Sequence, residues 1–135
     1  MKSRDTLIRL RRFQADEKRR KVAQIEAMIA DFARMAADLD REIGQEEQRA
    51  GISDPAHFAY PTYARAAAQR RDNIRRSAQD LDVQLAEAKA ALAEAFEELK
   101  KVEILDDRER TSERAAENAR DQASMDAIGL GRARA

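Results

Sequence analysis

The chain has 135 residues, 39% of them charged against roughly 25% in ordinary domains, and only 4% aromatic. It has no cysteine, which excludes disulfides and thiolate metal sites and fits a reducing cytoplasm, and its formal net charge of zero argues against a general nucleic-acid or membrane binder. No apolar run nears the roughly 20 residues that span a bilayer, and the opening MKSRDTLIRLRRF lacks the continuous apolar core of a secretory signal.

A first helix is expected from about residue 3 to about residue 50. Ser3 suits its N-cap, and Asp5 faces the positive end of the dipole. Ile8, Ala15, Val22, Ile29, Ala36, Ile43 and Ala50 recur every seven residues. A second row holds Ile25, Phe32 and Leu39, flanked by Arg11, Lys18 and Glu46. The pattern lasts about six heptads, beyond the three or four that identify a coiled coil.

The stretch 51–61, GISDPAHFAYP, interrupts it as a tip loop. It holds both prolines and the only histidine. Gly51 can end a helix in the left-handed cap conformation. Asp54 can cap a turn, and Pro55 and Pro61 each suit a first helical turn.

A second helix is expected over about residues 62–125. One row is Ala67, Ile74, Leu81, Ala88, Ala95 and Val102, the other Ala78, Leu85, Leu92 and Leu99. The pattern fades after Leu105, because Asp106 and Glu109 fall where apolar residues are needed next. Residues 106–122 favour helix without a buried face. Gly129 and Gly131 are expected to end the order, leaving 129–135 as a loose tail. The fold class is all-α: a single coiled-coil domain over 1–135, folded as a long two-helix antiparallel hairpin.

Charge supports the antiparallel arrangement. Residues 1–21 carry a net +6 and residues 92–112 a net −3, while residues 37–48 carry −4 and residues 65–76 carry +4. Folding at the tip sets each block against its opposite when partner numbers total roughly 113. Leu39 then lies near Ile74, Ile25 near Ala88 and Phe32 near Leu81. Exposed pairs contribute well under about 1 kcal/mol each, so charge selects the register and the seam supplies the stability. Helix 1 runs out opposite about Ser112, leaving a C-terminal overhang of single helix.

No catalytic constellation is present, and no cofactor or metal is expected. His57 stands alone in the tip, as an ordinary turn residue does, and the carboxylates alternate with arginine and lysine on solvated faces. The run KRRK at Lys18–Lys21 is either a nucleic-acid patch or the partner of an acidic face of helix 2. Leu7, Leu10 and Phe13, beside Arg11 and Arg12, form an apolar stripe at the open end. It either docks a partner or packs against Ile104 and Leu105. Phe58, Tyr60 and Tyr63 gather at the tip, where few neighbours can cover three rings, so they are candidate binding anchors.

Four segments carry a family resemblance: RLRRFQADEKRRKVAQIEAMI, the Gly/Pro tip with its aromatics, EAFEELKKVEILDDRER and RDQASMDAIGL. Together they resemble the FliJ family of flagellar export proteins, in the flavour of its alphaproteobacterial members. The resemblance implies a cytoplasmic, non-enzymatic part of the flagellar type III secretion machine, peripheral at the inner membrane and not inserted in it. It also implies a two-stranded antiparallel coiled coil like the stalk of rotary ATPases. The partners it implies are the hexameric export ATPase, the export gate membrane protein and the export chaperones. Two rival readings rest on the residues alone. One is a coiled coil that binds nucleic acid through its basic N-terminal block; the other is a generic holdase for unfolded chains.

Overall fold

A computed structural model describes residues 2–134, with side chains over 3–132. The described residues form two helices, α1 (Lys2–Ala50) and α2 (Thr62–Arg134), packed against each other as an antiparallel hairpin. Helix α1 begins at Lys2, so Ser3 lies inside its first turn and is not its N-cap. The larger departure is at the C-terminus. The tail expected from residue 129 is helical through Gly129 and Gly131 to Arg134, and Ala135 lies outside the described residues. A glycine costs a helix only about 1 kcal/mol relative to alanine, and no proline follows to stop it.

Contacts along the chain, expected to make one domain, group into two units: 16–93, and 1–15 with 94–135. In the unit 16–93 the heptad positions form the seam. Val22, Ile25, Ala36, Ile43, Ala67 and Leu81 are buried. Ile29, Phe32, Leu39, Ile74, Leu85 and Leu92 are half-buried. In the other unit Ile8 and Ala15 are buried and Leu99 and Val102 half-buried. The seam is thin: among the described residues no large side chain is wholly enclosed. That is the expected result of pairing just two helices, each of which keeps most of its circumference in water.

The register follows the opposed charge blocks. Leu39 and Ile74 line one groove, Ile25 and Ala88 another, and Arg4 pairs with Glu109; the numbers of each couple total 113. Asp40 accepts bonds from Arg71 at 2.9 Å and Arg75 at 2.8 Å, joining the acidic block of α1 to the basic block of α2.

The tip ends α1 by a Schellman motif. Gly51 has φ +71°, its N–H donates to the Gln48 carbonyl at 3.2 Å, and the Ile52 N–H donates to the Glu47 carbonyl at 3.2 Å. Ile52 packs on the cluster of Ile43, Tyr60, Ala64 and Ala67, completing the stop with an apolar contact. Asp54 Oδ1 accepts the Ala56 N–H at 2.9 Å and caps the following turn. Helix α2 then starts at Thr62, with the Pro61 carbonyl accepting its first bond from the Arg65 N–H at 3.1 Å.

Candidate partner-binding surfaces

At the tip the three aromatics have different fates. Phe58 is 94% exposed, its ring stacked on His57 with centroids 4.7 Å apart. His57 Nδ1 accepts the Ala59 N–H at 3.0 Å, which fixes the imidazole that supports the ring. Tyr63 is half in water and donates its hydroxyl to Glu42 at 2.7 Å. That bond, with the charge of Glu42 behind it, holds the phenol above its usual titration range. Tyr60 corrects the expectation of three binding anchors. It is only 6% exposed, part of the core with Ile43, Ala64 and Ala67, with the Arg65 guanidinium 5.4 Å from its ring centroid. The loop between Gly51 and Pro61 folds back over the end of the seam, and Tyr60 is the side chain that closes it.

The unit of 1–15 and 94–135 contains the open end. Leu7, Leu10, Phe13, Ile104 and Leu105 are each at least 40% exposed, so the stripe on α1 is not covered by Ile104 and Leu105. Arg11 is half-buried and donates to Gln14 at 3.2 Å, while Arg12 is exposed and 3.8 Å from Glu103. Beyond Glu113, which pairs with Arg4 at 3.2 Å, residues 114–132 of α2 are exposed throughout.

One group at this end escaped sequence reasoning. Asp106 is 7% exposed, the one buried charged side chain among the described residues. Arg110 Nε approaches one of its oxygens at 3.1 Å and Arg4 Nε the other at 3.4 Å. The Arg4 contact is an ion pair by distance only. Neither atom has an aligned hydrogen-bond partner, which leaves attraction without the geometry of a strong bond. Burial works against the Arg4 charge, but the bond to Glu109 and the nearby carboxylates outweigh it and raise its pKa. The signal was present in the sequence. Arg4 continues the column Arg11, Lys18, Ile25, and Asp106 continues Leu85, Leu92, Leu99, so both charges sit on the seam.

Among the described residues no cluster of His, Cys, Asp or Glu could hold a metal ion, and no helix is long and apolar enough to cross a membrane. A family model described as the flagellar FliJ protein matches residues 1–134. The chain belongs to the FliJ family. It is thus a flagellar export component, and its contacts lie within the flagellar export apparatus. No curated protein and no solved structure matches it. The FliJ match takes in both helices, the tip with Phe58 and Tyr63, and the bare C-terminal stretch of α2.

Proposed function

We propose that this FliJ-family chain is a non-enzymatic stalk of the flagellar type III export apparatus. It works in the cytoplasm, peripheral at the cytoplasmic face of the inner membrane. Its open end and C-terminal helix bind the hexameric export ATPase and promote ring assembly and activity. Its tip meets the export gate membrane protein through Phe58 and Tyr63, and the chain also handles export chaperones. The mechanism needs no chemistry in the stalk. A helix that touches ring subunits differently in two arrangements biases the ring toward the one it fits better.

The observation that carries this reading is the bare helix 114–132, exposed on every side. A single solvated helix of that length is marginal alone, and its stability rises when a partner surrounds it. The exposed stripe Leu7, Leu10 and Phe13 beside Arg11 and Arg12 extends the candidate contact surface within the same unit. Truncation after Glu113 tests the reading, because it spares Asp106 and the pairs of Arg4. The truncated chain is expected to keep its hairpin helicity by circular dichroism and to lose stimulation of the purified export ATPase. Full stimulation by the truncated chain removes the assignment.

A further inference from the structure

Within residues 16–93, one flank of the hairpin carries two open hollows, one beside Lys21, Gln84 and Ala91 and one beside Met35, Glu42 and Arg70. On α1 the edge of this flank is the heptad column Lys21, Met28, Met35 and Glu42; on α2 it is Arg70, Ser77, Gln84 and Ala91. Residues spaced by seven stay on one side of a coiled-coil seam. The two columns face each other, since Lys21 shares a lining with Gln84 and Ala91, and Met35 and Glu42 share one with Arg70. The floor is the seam itself: Ile25 and Ala88 toward one end, Leu39 and Ile74 toward the other. Met28 is 47% and Met35 40% exposed. Methionine is unbranched and polarizable and repacks readily around an incoming apolar face. Ala91 and Ser77 opposite are small enough for a third helix to approach closely. The columns run for about six helical turns, roughly 30 Å at 1.5 Å per residue.

Charge indicates the occupant. Lys18 and Lys21 line the Ala91 end, against one acid, Glu87. Neither ammonium has an ion-pair partner among the described residues, whereas Arg71 and Arg75 of the same unit are both matched by Asp40. At the opposite end the balance reverses, with one cation, Arg70, against two acids, Asp38 and Glu42, the second of them engaged by Tyr63. A helix C-terminus carries about half a negative charge on its free carbonyls, and acidic side chains in its last turn add to it.

We propose that this flank, from one hollow to the other, takes one amphipathic helix of another protein, its apolar face on Met28 and Met35 and its acidic C-terminal turn against Lys18 and Lys21. This goes beyond the stalk reading and does not depend on it; the test below uses no ATPase. The probe is a fluorescein-labelled amphipathic peptide of about 20 residues, with leucines at heptad spacing and glutamates in its last turn, titrated against the full chain by fluorescence anisotropy. Saturable binding of one peptide per chain is expected. Replacing the terminal glutamates by lysines should weaken it about tenfold, as two exposed ion pairs allow. Lys18→Glu with Lys21→Glu should reverse that preference. Met28→Glu with Met35→Glu should weaken binding by more than about tenfold with helicity unchanged, because both side chains already face water. Val83→Glu, exposed and outside both columns, should leave binding intact. Failure of the glutamate peptide to saturate, equal binding of the two peptides, or full binding by the methionine double variant each overturns the proposal. So does concentration-dependent dimerisation that the methionine substitutions abolish, since a second copy would then cover the flank.

Discussion

At the scale of single residues, Tyr63 offers the cleanest titration. Its hydroxyl donates to the Glu42 carboxylate at 2.7 Å, so ionising the phenol would set two negative charges together and discard the bond. Its folded pKa is therefore raised, first by that hydrogen bond and then by the charge of Glu42. A raised folded pKa means the bond's contribution to stability is whole below the unfolded value of about 10 and is lost as pH climbs through the folded value. Glu42→Gln is expected to bring the Tyr63 titration back toward the ordinary range, followed by tyrosinate absorbance against pH. Tyr63→Phe should remove the late-titrating component altogether. A late component that survives in Tyr63→Phe would show that another group produces it.

The elements divide cleanly into what the sequence made legible and what it did not. Heptad spacing named Val22, Ile25, Ile43 and Leu81 as seam because a two-stranded coil repeats one local geometry, and they are buried. Gly51 was legible as the end of α1 because a left-handed residue is needed there and glycine adopts it freely. Gly51→Ala meets no neighbour within 4 Å yet must hold φ at +71°, so it is expected to cost about 1–2 kcal/mol through backbone strain alone. Thermal melts should show the midpoint falling by several degrees, and Gly51→Asn should fall less, since asparagine tolerates that region better. An unchanged midpoint in Gly51→Ala would mean the tip relaxes away from the Schellman geometry. Tyr60 was not legible, since its burial depends on how an irregular loop folds back, which no periodicity encodes. Asp106 was missed for a different reason. A carboxylate on a seam column reads as the end of the pattern until its cation, Arg4, is found about a hundred residues away in sequence.

For the molecule as a whole, the two contact units are held by different forces. Residues 16–93 own most of the buried apolar side chains, from Val22, Ile25 and Ile43 to Tyr60, Ala67 and Leu81. The unit of 1–15 and 94–135 buries Ile8 and Ala15, and adds the ion pairs of Arg4 with Asp106, Glu109 and Glu113 and of Asp5 with Arg110. Apolar burial is indifferent to moderate salt, and the buried Asp106 is screened little, while the pairs that reach the exposed Glu109, Glu113, Asp5 and Arg110 are screened as the Debye length shrinks from about 10 Å at 0.1 M to about 3 Å at 1 M. Local opening draws on whichever contacts hold a segment. Amide hydrogen exchange is therefore expected to be slower over 22–48 and 64–90 than over 3–15 and 100–113 at low salt. Raising sodium chloride from about 0.1 M to about 1 M should speed exchange in the second pair of segments while leaving the first nearly unchanged. Arg4→Ala should speed exchange in the second pair of segments already at low salt, and by more than high salt does, because it also takes a cation from the buried Asp106. A uniform response of both units to salt would show that the ion pairs at the open end contribute nothing the seam does not already supply.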